Sequence, residues 1–254
     1  MTESCDEIIQ LMRDNRQPAM ANRLCEMISD QSLATLSKYE LLKEIVEAEA
    51  ISRKNNTADK LIKKARFANS AACMEEILYS PERKLSYEQL DIFASNQYID
   101  DGRNILLFSA TGCGKSYVAQ ALGTNACRSG RKVRYIGNYD LMDYLEEQFR
   151  ARTEESNKVL FELGRCDLLI IDDFLNFKPN DYQMSALTNL IDKRTDRSNI
   201  FCTQLTLSDW HSYLGGGTAA DAILDRITSN AYKLLLEGES LRQDKQKQPS
   251  KKKK

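Results

Sequence analysis

The segment Asn104–Leu122, NILLFSATGCGKSYVAQAL, carries the reading of the fold. It begins as the apolar run Ile105 to Phe108, turns through small residues, and continues with Val118, Leu122 and then Ala126 at helical spacing until Gly130 ends the pattern. A strand, a glycine-bearing turn and a helix opening on Lys115 make a phosphate-binding loop. The chemistry explains the residue types. Small residues let successive backbone N–H groups turn inward around the β- and γ-phosphates, and the helix N-terminus aims its dipole at them. A lysine reaches the γ-phosphate and a hydroxyl ligates Mg²⁺. Gly112, Gly114, Lys115 and Ser116 meet those demands, within a candidate nucleotide-contacting stretch that runs from Ser109 through Ala110, Thr111 and Cys113 to Tyr117. The first position of the usual G-x-x-x-x-G-K-[ST] pattern is Ser109 instead of glycine.

Further along, Asp167-Leu-Leu-Ile-Ile-Asp172-Asp173 is an apolar strand ending in two acids, with Asp172 57 residues beyond Lys115. This reads as a Walker B element on a strand next to the phosphate-loop strand. Asp172 would hold Mg²⁺ and Asp173 would orient or deprotonate the attacking water. A strand ending in a solvated acidic turn is the plainer alternative. Asp173 is one methylene shorter than the glutamate common at such sites, which predicts slow or partner-dependent hydrolysis. Asn199–Gln204 is expected beside the Walker B strand, bringing Thr203 or Gln204 to the γ-phosphate as a sensor, or else is an ordinary polar strand end. Ala222–Ile227 reads as a helix. From it Arg226 projects either into solvent or into a neighbouring subunit's γ-phosphate as an arginine finger.

Five short strands are expected: Asn104–Phe108, Lys132–Ile136, Leu168–Ile171, Asn199–Thr203 and Tyr232–Leu236. Amphipathic stretches separate them, one opening with Asp140 as N-cap and burying Leu141, Leu145 and Phe149. The alternation predicts an α/β class, a parallel sheet flanked by helices. Residues 1 to about 95 carry no strand signal, and Ala19–Ser29 and Lys38–Ile51 space their apolar residues helically. The expected organisation is a helical DNA- or partner-binding domain over 1–75, an ATPase core over 76–242 and a disordered lysine-rich tail over 243–254. Trp210 and His211 are expected to pack at a surface loop, and Gly215–Gly217 to form a hinge.

Composition sets the limits. The 42% hydrophobic content of the 254 residues is too high for a disordered chain. Apolar runs such as Ile105–Phe108 and Leu168–Ile171 are four residues long, against the roughly 20 needed to span a bilayer. The acidic start MTESCDEIIQLM does not read as a signal peptide, so the cytosol is the expected location. Seven scattered cysteines without a Cys-x-x-Cys pair argue against a disulfide framework and a structural zinc site. The net charge of −1 hides segregation. Arg53, Lys54, Lys60, Lys63, Lys64 and Arg66 against Asp59 give +5 between Ile51 and Arg66, and six lysines against Asp244 give another +5 after Gln243. The remainder therefore carries −11. On a helix, Lys60, Lys63 and Lys64 fall within one turn, able to neutralise adjacent DNA phosphates without reading bases, or to form a solvated basic face.

Together these residues resemble the IstB-like ATP-binding proteins, helper ATPases of bacterial insertion sequences related to DnaC-type helicase loaders within the AAA+ class. The resemblance runs over Glu47–Glu49, Lys63–Phe67, the phosphate loop and Leu169–Phe174. It continues through Thr203–Leu205, Ser208–Trp210, Asp221–Arg226, Asn230–Tyr232 and Glu237–Arg242. It implies an AAA+ core without a C-terminal lid, with Lys115 and Ser116 on nucleotide and Mg²⁺, Asp172 and Asp173 as the paired acids and Arg226 as the finger. Arg242 is implied near nucleotide or neighbour. It further implies duplex DNA, a transposase and other copies of the chain as partners, and a transposition function. A helicase loader and a weakly hydrolysing nucleotide-binding scaffold are the alternatives. Two departures stand out: Ser109, and Leu175-Asn176 where the family usually continues Phe-Gly-Leu after its acids.

Overall fold

The computed structural model describes residues 2–241 except 152 and 239; the side chains of 2–4, 81 and 149 lie outside that description. The expected tail over 243–254, the packing of Phe149 and the implied role of Arg242 therefore fall outside the described residues. The chain forms two compact units, Met1–Lys60 and Leu61–Lys254.

In the first unit, α1 (Thr2–Asp14), α2 (Pro18–Ser29) and the larger part of α3 (Lys38–Ala65) bury Ile9, Ala21, Leu24, Met27 and Ile45 against one another. Pro18 starts α2 at a position where no intrahelical N–H is needed. The next N–H groups, of Ala19 and Met20, donate to the buried Glu49 carboxylate at 3.0 and 3.4 Å, and Arg53 pairs with its other oxygen at 2.8 Å. Glu49 thus caps α2 from α3.

The second unit holds the sheet. After α4 (Tyr87–Ala94) and α5 (Gln97–Asp100) come β1 (Asn104–Ser109), α6 (Lys115–Arg128), β2 (Val133–Gly137), α7 (Asn138–Arg150), α8 (Glu154–Arg165) and β3 (Leu168–Asp172). Then follow α9 (Asp181–Asp192), β4 (Ser198–Thr203), α10 (Leu207–Tyr213), α11 (Gly217–Thr228) and β5 (Ala231–Leu236). All five expected strands form, and all pair in parallel in the order β2-β3-β4-β1-β5. β3 and β4 are buried along their whole length, and β3 accordingly reads as a continuous apolar run up to Asp172. One face of the sheet packs on α6 and the residues from 61 to 99, and the other on α7 to α11.

The acid-bearing strand is not next to the phosphate-loop strand. β4 lies between β1 and β3, with Ile200 paired to Ile105 on one side and to Ile170 on the other. Sequence order says nothing about this insertion, because a parallel crossover can pass over a strand position that a later segment fills. Asp140 does not cap α7: Gly137 holds the N-cap position and Asp140 lies in the first turn. Asn138 instead begins the helix directly off β2. Its amide donates to Asn176 Oδ1 at 2.8 Å and its oxygen accepts from Leu175 N at 3.3 Å.

Trp210 and His211 lie on α10 and not in a loop; Thr206 and Asp209 close that helix with a capping box, and Trp210 is fully buried. The division between the units falls within α3, after Lys60, and Ala65 and Ala72 are fully buried in the core of the second unit. Among the described residues no helix is long and apolar enough to cross a membrane.

Candidate nucleotide-binding site

The loop from Ala110 to Gly114 leaves the C-terminal end of β1 and feeds α6 without a side-chain cap; Gly114, in the left-handed region at φ 90°, stands at the N-cap. The first amides of α6 are therefore not taken by a capping side chain, and the helix dipole is directed at whatever lies over the loop. Gly112 has φ 88°, and a Cβ there would fall 2.1 Å from Ser240 Oγ. Backbone conformation and close approach both demand glycine. Ser109 is the last residue of β1, buried, its hydroxyl donating to Ala110 O at 2.9 Å. The serine is absorbed into the strand end, and the positive-φ turns fall on Gly112 and Gly114.

Lys115 is 5% exposed, and its ammonium lies 3.3 Å from Asp173 Oδ1. Asp172 ends β3, buried, with one carboxylate oxygen accepting from Tyr135 OH at 2.6 Å and the other from the Asp173 N–H at 3.0 Å. Burial and the Asp172 carboxylate push the Tyr135 phenol well above its usual pKa, so the hydroxyl remains a donor. Burial likewise raises the Cys202 thiol, on the strand between. After Asp172 the chain turns sharply. Asp173 has φ 51° and Leu175 φ 57°, left-handed values that cost a non-glycine residue of order 1 kcal/mol. Leu175 is the position at which the family's usual sequence has glycine. Full burial of its side chain and the Asn138 hydrogen bond hold it there.

Of the two sensor candidates, Gln204 reaches the phosphate loop and Thr203 does not. Gln204 Oε1 accepts from Thr111 Oγ1 at 2.7 Å. Thr203 is fully buried and its hydroxyl is used in the core, donating to Phe174 O at 3.0 Å and accepting from Leu205 N and Trp210 Nε1. The Tyr117 hydroxyl donates to Glu76 at 3.0 Å, turned to the segment that precedes α4 and not to the loop. Arg226 is remote. The backbone oxygens of Arg226 and Ile227 accept from the side chain of Asn104, the first residue of β1, so Arg226 sits at the strands' N-terminal rim. Its guanidinium pairs with Asp192 at 2.7 Å.

Among the basic candidates, Lys54, Lys60, Lys63, Lys64 and Arg66 are exposed. Arg53 is partly committed, to Glu49 and to the Arg16 carbonyl.

Arg83 escaped the sequence reading. It is 8% exposed, and its guanidinium donates to Cys113 O inside the loop and to Leu78 O; burial lowers its pKa. A Cβ on Gly114 would meet Arg83 Nη2 at 2.9 Å. The segment after β5 joins the same cluster. Glu237 N donates to Arg83 O, Cys113 Sγ to Gly238 O, and Leu241 N to Gly112 O. A lone arginine some thirty residues before the loop carries no periodic or motif signal; only the fold brings it there. Beside the loop, Phe108, Ala110, Gln204, Leu207, Leu236 and Gly238 are among the residues that line an open cavity of about 510 Å³.

The donor set suits a hard cation as far as it goes: a hydroxyl at Ser116 and a carboxylate at Asp172. No group of three or more His, Cys, Asp or Glu side chains is placed to hold a metal among the described residues. All seven cysteines are free.

Comparison with known proteins places this geometry. An insertion-sequence ATP-binding protein of Sinorhizobium fredii is 34% identical over 235 residues, covering 90% of this chain and 92% of its own. The DnaC helicase loader is similar in structure, with a TM-score of 0.56 at 18% identity over 65% of this chain and 97% of that one. AMPPCP-bound DnaA from Aquifex aeolicus gives 0.57 at 19% identity, over 71% and 56%. At these identities the structural likeness establishes the AAA+ fold alone. The family model described as IstB-like ATP binding protein matches residues 11–249, and the chain belongs to that family.

Proposed function

We propose that this protein is an ATP-dependent helper of DNA transposition that assembles with its own copies on duplex DNA and recruits or stimulates the transposase of its element. Carrying the reading is the loop of Gly112 to Ser116 at the head of α6, with the buried Lys115 paired to Asp173 directly after β3, in a chain of this family. In this reading the loop amides and Lys115 hold the phosphates of ATP, and Ser116 and Asp172 hold Mg²⁺. Held there, Mg²⁺ would supply positive charge to offset the negative charge that develops on the phosphates during transfer. Lys115 exchanges Asp173 for the phosphates, and the released Asp173 carboxylate orients the attacking water. Gln204, through Thr111, reports the state of the loop. Arg226 acts on the site of a neighbouring subunit, because it stands across the sheet from its own.

Exposed lysines on α3 supply contact with DNA phosphates, together with Arg66. Bending a 20–30 bp site requires on the order of 1–6 kcal/mol, which assembly and binding can supply without hydrolysis. Hydrolysis then resets the assembly. Electron microscopy with duplex DNA and a slowly hydrolysed ATP analogue, beside phosphate release with and without DNA, tests the proposal. Nucleotide-dependent oligomers on DNA and DNA-stimulated release are expected. Capture of a replicative helicase with little duplex affinity would overturn it in favour of a loader.

A further inference from the structure

Tyr135 lies in the middle of β2, paired with Ile170 of β3, and its hydroxyl reaches forward to Asp172 Oδ2 at 2.6 Å. Its ring is met edge-on by Phe67, with centroids 6.4 Å apart. Phe67 follows directly on Arg66 and the last turn of α3, where Lys63, Lys64 and Arg66 are exposed. Gly123 of α6 leaves room for the ring, since a Cβ there would come within 2.8 Å of Phe67 and of Ile170. Two rings, Phe67 and Tyr135, therefore stand in series between a basic surface and a buried carboxylate.

We propose that Tyr135 is a positioning residue for Asp172, and that Phe67, packed on its ring, transmits to it the state of the segment ending α3, so that duplex bound there changes the uptake of Mg²⁺ with nucleotide. The second half rests on the DNA reading given above; the first does not. With both oxygens of Asp172 engaged, the carboxylate has one orientation, and loss of the phenol hydroxyl frees it to rotate away from the ion. Outer partners of metal-holding groups change metal affinity by roughly ten- to a hundredfold when removed.

The test is the Mg²⁺ concentration that half-saturates binding of a fluorescent ATP analogue to the full-length protein, with and without duplex. Tyr135→Phe should raise it about tenfold without DNA, leaving binding in EDTA unchanged. In an Asp172→Asn background the same substitution should add nothing, since its effect passes through that carboxylate. Duplex should shift the wild-type value about fivefold or more, and Phe67→Leu should abolish the shift while DNA is still bound. An unchanged value in Tyr135→Phe, or an equal effect in both backgrounds, overturns the positioning role. Retention of the shift in Phe67→Leu overturns the transmission. A wild-type protein that binds duplex without any shift also refutes transmission and spares the DNA reading. One that binds no duplex refutes both of those, while the DNA-free titration still decides the role of Tyr135.

Discussion

Lys115 and Asp173 face each other 3.3 Å apart, so the ammonium that would receive a γ-phosphate already has an anion beside it. Lys115→Ala should abolish measurable nucleotide binding in a fluorescence titration, and retained binding would remove this loop from the site. Leu175 bears a different load. Leu175→Gly would relieve left-handed strain of about 1 kcal/mol but empty a fully buried leucine pocket, a loss of about 2–5 kcal/mol by analogy with leucine-to-alanine changes. A net loss of stability in a denaturant melt is the expected outcome, despite glycine being the family's usual residue. At this scale the sequence was legible where chemistry dictates type. Gly112, Gly114, Lys115 and the two acids could be read directly. The choice between Thr203 and Gln204 could not, because one residue's shift along a strand exchanges core for loop, and only the pairing with β1 and the burial of Trp210 fix which side Thr203 faces.

Elements add what single residues lack. α6 packs on the sheet through Val118, Ala119, Leu122 and Ala126, and at Gly123 its backbone comes close enough to β3 that a methyl would strike Phe67 and Ile170 at 2.8 Å. Gly123→Ala would gain about 1 kcal/mol of helix propensity while displacing the Phe67 ring. The expected result is a little-changed melting temperature with a weakened response of nucleotide binding to DNA; an unaltered response would detach Phe67 from the site. For α3, replacing Lys63 and Lys64 together should lower the log–log salt slope of duplex binding by roughly 2 if each meets a phosphate. An unaltered slope would take the end of α3 out of the interface. The five strands and the longer amphipathic helices were readable from periodicity, whereas the seven-residue α10 around Trp210 was expected as a loop. The start of α7 was not readable, since Asn138, not Asp140, is recruited by the turn after β3, and that recruitment is tertiary.

For the whole molecule, the sheet sets the distance between Arg226 and its own phosphate loop. β1 runs six residues from Asn104 to Ser109, roughly 20 Å at about 3.3 Å per residue. An arginine beside Asn104 cannot bridge that span. Mixing a Lys115→Ala chain with an Arg226→Ala chain should therefore recover part of the phosphate release that either variant lacks alone. No recovery would mean that Arg226 does not serve a neighbour. Asp192 holds the guanidinium at 2.7 Å, a partner it would have to leave in order to serve a neighbour. None of this could be read from Ala222–Ile227 as a helix. The rim on which its arginine emerges follows from the strand order, which the sequence does not state.

That order also fixes a timetable. Both hydrogen-bonded neighbours of β1 are the last two strands made, β4 and β5, and the acids of β3 reach the loop only across β4. During synthesis the loop sequence emerges near residue 115 but has no flank until residue 203 and only one until residue 236. A nascent chain halted between β3 and β4 would display an unpaired apolar strand and bind no nucleotide, so nucleotide binding is a property the chain acquires only once β4 and β5 have been made.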